Sequence, residues 1–415
     1  MAVKASFKRT EVGLIPADWG LSTIGSLAST SSGTTPPRAQ SDRYFQGGHI
    51  PWVKTLDLNN GELQNIEECV TNAALVETSL KLYPIGTVLV AMYGGYAQIG
   101  RTGLLIKPAA GNQALTAIRA NSQKLFARFL LYVLNDRVDY WRTVASSSRK
   151  DPNITGGDVR AFPIAVPPFL EQQAIAEALS DADALIESLE QLLVKKHQIK
   201  QGTIQELLTG KRRLPGFDGM WQIQTLEALA EIRSGGTPST TRSEFWDGVV
   251  LWCTPTDITA LNGAKYLSDT TRKITELGLK SSSAEIIPAN SIVMTSRATI
   301  GECAINQVEV STNQGFKNFV PFENVDVEFL YYLLSTQKAG FVSLCGGSTF
   351  LEIGKTQLRI YQVLMPPTKE EQTAIATILS DMDADIAALE SRLAKARHIK
   401  QGMMQQLLTG QIRLV

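Results

Sequence analysis

HQIKQGTIQELLTGKRRLPG at residues 197–216 and HIKQGMMQQLLTGQIRLV at residues 398–415 write one helix ending twice in a single chain. Working outward, Glu171–Gly210 laid over Glu371–Gly410 gives 24 identities in 40 positions at a constant offset of 200. EQQAIAEALSDADALIESLE faces EQTAIATILSDMDADIAALE. Upstream of each lies a proline pair, Pro167-Pro168 and Pro366-Pro367, as expected where an extended segment stops before a helix begins.

The repeat continues more faintly into the intervening segments. DWGLSTIGSLASTSSGTTP (18–36) matches MWQIQTLEALAEIRSGGTP (220–238), and AQIGRTGLL (97–105) matches ATIGECAIN (298–306). NQAL (112–115) matches NQGF (313–316), and FLLYVL (129–134) matches FLYYLL (329–334), with offsets between 199 and 202. Such a period is too long for a solenoid unit of about 20–50 residues. It implies a duplicated module, each copy a globular domain followed by a long helix.

In the first helix Ile175, Leu179, Ala182, Ile186, Leu189 and Leu193 step by 4, 3, 4, 3, 4. Ile375, Leu379, Met382, Ile386, Leu389 and Leu393 repeat the pattern, which is the seam of a coiled coil. At 1.5 Å per residue each helix would run about 57 Å, too long to be stabilised inside a small domain. Residues 171–190 hold six acids and no base, whereas 191–213 hold six bases and one acid, Glu206. Residues 370–390 hold six acids, and 391–413 five bases and no acid. The helix dipole accounts for part of this polarity. Antiparallel pairing would set each acidic half beside the other's basic half. The expected architecture is an antiparallel two-helix rod with a globular domain at each end, a pseudo-twofold object. Leu185, Leu192, Ile199 and Leu208 are expected on its outer faces, where they call for a partner.

The expected boundaries are a first domain at 1–165, a helix at 166–214, a second domain at 215–364 and a helix at 365–415. Both domains mix short β-rich stretches (GTVLVAMY, 86–93; NSIVMTS, 290–296) with loops and one apolar helical run, so the fold class is α/β or α+β. The 415 residues carry zero formal net charge, 44% hydrophobic and 19% charged residues, ordinary for a folded soluble protein. Cys69, Cys253, Cys303 and Cys345 are scattered without a CxxC pair, which argues against a disulfide framework or a zinc site. There is no signal-like segment and no run of about 18 apolar residues. These features point to the cytoplasm and to no membrane partner.

The loops of both domains are dense in Gly, Ser, Thr, Asn and Gln: SSGTTPPR (31–38), YGGYAQIGR (93–101) and ASSSRKDPN (145–153), then SGGTPSTTR (234–242), TSRATIG (295–301), STNQG (311–315) and GGSTF (346–350). Turn chemistry explains polar loops in general. The basic residues embedded in them favour DNA, because Arg reads guanine edges, Asn and Gln read adenine, and hydroxyls and amides hold phosphates. The candidate DNA-binding residues are Arg38, Tyr93, Tyr96, Gln98, Arg101, Ser147, Arg149 and Lys150 in the first domain. In the second they are Thr237, Ser239, Arg242, Ser296, Arg297, Lys317 and Ser348. Residues 1–165 carry net charge +5 and residues 216–364 net −4. The second domain is therefore poorly suited to tight DNA binding alone, since phosphate neutralisation supplies most non-specific affinity.

Catalytic signatures are absent. VPPF (166–169) and MPPT (365–368) imitate the amino-methyltransferase motif but lack a polar residue before Pro-Pro to hold a target amine. GGSTFLEIGKT (346–356) ends like a P-loop, yet Thr349 stands where the spacing requires glycine. His49, His197 and His398 are far apart in sequence. The chain is expected to be non-catalytic, with no metal and no cofactor of its own.

Taken in order, FKRTEVGLIPADW (7–19), SGGTP (234–238), TSRATIG (295–301), NQGF (313–316), the PPxxEQ start of each helix and the IKQG…LLTG endings resemble the specificity subunits of type I restriction–modification systems. The resemblance runs over nearly the whole chain. It implies two target recognition domains that read the halves of a split, asymmetric site in double-stranded DNA from the major groove. It also implies that the paired helices are a spacer docking two methyltransferase subunits, which bind S-adenosylmethionine and modify adenine N6. Restriction subunits can add ATP-dependent translocation and cleavage. Recognition residues vary within such a family, so the loop candidates rest on their own chemistry. Two alternatives are a stand-alone bipartite DNA-binding regulator, which would need more positive charge, and a catalytic methyltransferase, which would need the missing acceptor and cofactor loop.

Overall fold

The duplicated stretches form two helices of 39 residues each, Phe169–Leu207 and Lys369–Leu407. At 1.5 Å per residue each is about 58 Å long. Strands Pro163–Val166 and Gln362–Met365 precede them, and the proline pairs separate strand from helix because proline removes the ladder's N–H donor. Each helix ends in the LLTG tetrapeptide. Gly210 and Gly410 take the left-handed conformation, with φ of 66° and 69°, which only glycine enters without a Cβ penalty.

The computed structural model describes residues 6–145, 152–345 and 351–414. The chain divides into two compact units, residues 1–190 with 391–415, and residues 191–390. Each unit therefore combines one globular domain, the first half of its own long helix and the second half of the other.

Both units repeat one topology. In unit 1 a five-stranded sheet runs in the order Ala28–Ser32, Leu115–Ala120, Thr87–Ala91, Thr102–Leu105, Gly61–Leu63. In unit 2 the order is Ala230–Ser234, Phe316–Pro321, Ser291–Thr295, Cys303–Asn306, Tyr266–Leu267. Neighbours are antiparallel except at the last pair, which is parallel in both units. A three-stranded sheet accompanies each: Ile50–Val53 between Ala110–Gly111 and Cys69–Val70, and Trp246–Cys253 between Ser311–Thr312 and Arg272–Ile274. Helices Ala127–Asp136 and Val327–Thr336 bury Phe129, Leu130 and Leu134, and Phe329, Leu330 and Leu334, against the five-stranded sheets. The mainly antiparallel sheets settle the class as α+β.

The repeated ending has a shared task. Leu407 and Leu408 lie in the unit 1 core with Ile175, Leu179, Phe129 and Trp19. Leu207 and Leu208 lie in the unit 2 core with Ile375, Leu379 and Phe329. Each domain is thus closed by the ending of the other repeat's helix. Leu208, expected to face outward, is buried because it is part of this closure. Ile175, Leu179, Ile375 and Leu379 are fully buried in the domain cores, so the first positions of each seam serve the domain as well as the helix pair. Further along, Leu189, Ile386 and Leu393 are buried, and Ile186, Leu193 and Leu389 half-buried.

Ion pairs fix the antiparallel direction within each unit. In unit 1 Arg413 pairs with Glu171, Lys400 with Asp183, and Arg397 with Glu190 at 2.6 Å. In unit 2 Arg213 pairs with Glu371 at 2.6 Å, Lys200 with Asp383, and Lys196 with Asp385 at 2.8 Å. Numbers fall on one strand of each pairing as they rise on the other, as the charge segregation requires. Tyr132 donates to Asp183 at 2.7 Å and Tyr332 to Asp383 at 2.5 Å. Burial first, then the carboxylate, pushes both phenols up, so they remain donors.

The Glu-Gln pair that starts each helix anchors it to its own domain. Glu171 accepts from Trp19 Nε1 at 3.1 Å, and Glu371 from Trp221 Nε1 at 3.1 Å, in addition to the arginines. Gln172 accepts from the Phe126 amide and donates to the Lys124 and Pro167 carbonyls at 2.9–3.0 Å. Gln372 does the same for the Asp326 amide at 2.9 Å and the Asn324 carbonyl at 3.4 Å. Each glutamine so ties the long helix to the turn that begins the apolar helix of its domain.

Candidate nucleic-acid interface

Strand register brings three loops to one end of each five-stranded sheet. Leu115 opposes Ala91 while Thr116 opposes Ser32, so loops 33–38, 92–101 and 112–114 leave side by side. In unit 2 Phe316 opposes Thr295 and Lys317 opposes Ser234, which gathers loops 235–242, 296–301 and 313–315.

The first and third loops are bound together in both units. Thr35 Oγ1 donates to Gln113, and Thr237 Oγ1 to Gln314. Gly33 N–H bonds the Leu115 carbonyl at 3.1 Å, and Trp52 and Trp252 donate to the Thr34 and Gly236 carbonyls at 3.1 and 3.0 Å. The approach demands glycine. A Cβ on Gly33 would fall 2.1 Å from the Asn112 carbonyl oxygen, and one on Gly235 1.9 Å from that of Asn313. Neither neighbour is a flexible side chain. Gly33→Ala and Gly235→Ala are each expected to cost about 1–3 kcal/mol, the usual range for overpacking. Amide hydrogen exchange should show faster opening in the altered unit alone, and unchanged exchange there would refute the close approach.

The middle loops carry the difference between the units. Tyr93 and Arg297 stand at equivalent positions, since Ile154 N–H bonds the Met92 carbonyl and Ile353 N–H the Ser296 carbonyl, both at 3.1 Å. Tyr93 and Tyr96 are about half exposed, 47% and 49%, around Gly94 and Gly95 with positive φ. Gln98 is half-buried and accepts from Arg101 Nη1 at 3.1 Å. Arg101 also donates to the Leu58 carbonyl, so it braces the loop from below. Arg38 lies 4.1 Å above the Phe45 ring and pairs with Glu68.

In unit 2 Ser239 is exposed, with its hydroxyl 2.9 Å from that of Thr241. Arg242 is exposed, 5.5 Å from the Phe245 ring and 3.9 Å from Glu244. Arg297 reaches solvent and pairs through Nε with Glu352 Oε2 at 2.9 Å. Ser296 and Lys317 are buried, at 0% and 6% exposure, and so do not project from the surface. Lys317 Nζ donates to Ser296 Oγ at 3.4 Å and to the Phe316 carbonyl at 3.3 Å, and burial holds its ammonium below the usual lysine range. Both faces of its strand are covered, so alternation leaves no outward side. Ser147, Arg149, Lys150 and Ser348 lie outside the described residues.

Sequence reasoning missed Glu352 and the paired tryptophans Trp52 and Trp252. The tryptophans were visible as repeat-related residues at an offset of 200; Glu352 belongs to no repeated motif. No group of three or more metal-ligating side chains is present among the described residues. No described helix is long and apolar enough to cross a membrane.

Two like units with unlike side chains on equivalent loops define a duplicated binding scaffold. Its sequence matches the family described as "Type I restriction modification DNA specificity domain" twice, over residues 16–198 and 219–396. It is 40% identical over 166 residues to the type I restriction enzyme MjaIX specificity subunit of Methanocaldococcus jannaschii, an alignment covering 39% of this chain and 38% of that one. To the putative MjaX specificity subunit of the same organism it is 24% identical over 434 residues, covering 99% and 97%. The fold is shared with the type I restriction–modification S subunit from M. genitalium, with TM-score 0.59, 16% identity and coverage of 98% and 99%. It is also shared with the HsdS subunit from Thermoanaerobacter tengcongensis, with TM-score 0.51, 18% identity and coverage of 96% and 98%. The chain belongs to the type I restriction–modification specificity subunits, the non-catalytic, DNA-targeting members of those systems.

Proposed function

We propose that this chain reads a bipartite, asymmetric site in double-stranded DNA, one half with each recognition domain, residues 1–165 and 215–364. The supporting observation is the pair of equivalent loop faces that present tyrosines in one unit and arginine in the other. Tyr93, Tyr96 and Gln98 are the reading groups of the first face, with Arg38 at its flank. Arg297, Ser239, Arg242 and Thr237 serve the second. The long helices, residues 166–214 and 365–415, set the distance between the half-sites and dock two adenine-N6 methyltransferase subunits, with restriction subunits joining on the same assembly. S-adenosylmethionine belongs to those partners, and the complex works in the cytoplasm. The +5 and −4 balances of the two domains agree with shared phosphate contacts, because a complex can supply the neutralisation that one domain lacks. Base extrusion for amino-methylation would likewise fall to the methyltransferase.

Methylome sequencing of the host with and without the gene tests this reading. One split motif should vanish on deletion. Exchange of residues 1–165 for the domain of a related subunit should alter one half of that motif and leave the other unchanged. An unaltered methylome, or a change in both halves, would overturn it.

A further inference from the structure

We propose that Arg297 reads a guanine in the half-site of unit 2, and that Glu352 is the positioning residue that aims it. This rests on the reading of unit 2 as a DNA-recognition domain. The local chain gives the arginine a fixed base. It lies two residues past the end of strand Ser291–Thr295, forms an isolated antiparallel bridge with Glu352, and precedes Ala298, whose φ of 57° turns the backbone sharply. A non-glycine residue in that region is uncommon and signals a constraint imposed by its surroundings.

The side chain is held from behind. Glu352 Oε2 engages Nε of Arg297 at 2.9 Å, and its other oxygen lies 3.8 Å from the ammonium of Lys317. Lys317 is buried and tied to Ser296. The carboxylate thus stands between two cations, one buried and one whose side chain is 47% exposed. Nε is the nitrogen the ion pair places against Glu352, the side chain is half exposed, and Arg297 makes no other ion pair among the described residues, so the fork of its two terminal nitrogens is left for a ligand.

Such a fork can take a phosphate or a guanine, and the carboxylate decides between them. A phosphate drawn to Arg297 would approach a second anion, Glu352, close behind the guanidinium, which weakens the attraction. The O6 and N7 acceptors of guanine are uncharged and match two parallel N–H donors. Adenine presents an N6 amino donor at the same edge and would meet donor with donor. A preset guanidinium also loses less freedom on binding than one that must be ordered.

The test uses the full chain assembled with the methyltransferase subunit of its own system, on duplexes randomised across the second half-site. Wild type should favour guanine at one position by about ten- to hundred-fold, the range for a bidentate contact. Arg297→Ala should erase that preference and leave the first half-site unchanged. Arg297→Lys should also lose it, because lysine offers a point charge without the fork. Glu352→Gln should reduce the guanine preference several-fold while methylation summed over all sequences changes less. A purely structural role for Glu352 would lower total activity without altering base preference, and would overturn its assignment. Equal loss on every sequence with Arg297→Ala would make it a phosphate contact and overturn the proposal. If Arg297→Ala failed to assemble, the shape-conserving Glu352→Gln and the charge-conserving Arg297→Lys variants would decide. Failure of wild type to methylate any split motif would instead overturn the functional reading itself.

Discussion

Arg413→Ala is expected to destabilise unit 1 by about 3–5 kcal/mol, the range for breaking a buried ion pair by removing one partner. The Glu171 side chain is 1% exposed. Its two oxygens accept Nε and Nη2 of Arg413 at 2.5 and 2.8 Å. Without the arginine, the Trp19 indole would be the remaining side-chain donor to that carboxylate. Arg413 also holds Asp18 with a bidentate contact at 2.8–3.0 Å, and this hydrogen bonding keeps Asp18 below the usual carboxylate range. The exposed Asp18 contact adds little, since surface pairs contribute about 0–1 kcal/mol. The cost comes from leaving Glu171 buried and unpaired.

A second substitution separates that cost from simple loss of packing. In Arg413→Ala with Glu171→Gln, the carboxamide needs no counter-charge, so more than half of the lost stability should return. Amide hydrogen exchange is the suitable measurement, because it resolves opening unit by unit. Protection should fall around Leu407, Leu408 and Phe129 while unit 2 stays as it was. Arg213→Ala, which strips Glu371 in the same way, should give the mirror result. A loss below about 1 kcal/mol, or a double variant no better than the single one, would show that the arginine plug does not close the domain.

Much of this closure was legible as pattern and illegible as contact. The 200-residue repeat shows that both helix endings and both Glu-Gln pairs serve the same purpose twice. It cannot show that Arg413 meets Glu171 across 242 residues, because periodicity carries no information about which elements touch. The helices themselves were readable because a long heptad pattern is local. The sheets were not, since their strands are mostly two to six residues long and pair over wide separations, as Ala28–Ser32 does with Leu115–Ala120.

The loop face was legible only in composition. Lysine in a polar stretch suggests a solvent-facing group, yet Lys317 lies on a strand covered on both sides, beside the fully buried Asn318. Arg101 has the right chemistry for DNA, but its fork is spent on Leu58 and Gln98. Arg297 has the same composition and the opposite circumstance. What separates the three is the partner of each polar atom, which only the fold supplies.

On the proposed reading of a split site, adding one heptad to both long helices should abolish methylation at the native gap between half-sites. Seven residues extend a helix by about 10 Å at 1.5 Å per residue. One pair of bases rises about 3.4 Å, so the half-sites should move apart by about three pairs. Seven residues preserve the seam, because Leu193 and the positions after it keep their heptad phase. Each helix continues unbroken past Glu190 or Glu390, so an insertion near Leu193, matched in the second helix at the antiparallel-equivalent position, lengthens both without altering either loop face. Inserting the heptad into one helix alone would misalign the ion pairs Lys400–Asp183 and Lys200–Asp383 and should destabilise the pairing instead. Three base pairs also rotate the second half-site by roughly 100°, given 10–10.5 pairs per turn. Translation and rotation therefore conflict, and rescue at the longer gap requires the helices or the DNA to twist. Methylation of a library with randomised gap length reads both effects at once. The doubly extended protein should lose the native gap, and any activity it retains should lie near three added pairs. If it still methylated the native gap alone, the paired helices would not set the distance, and the spacing would have to be fixed by the methyltransferase subunits.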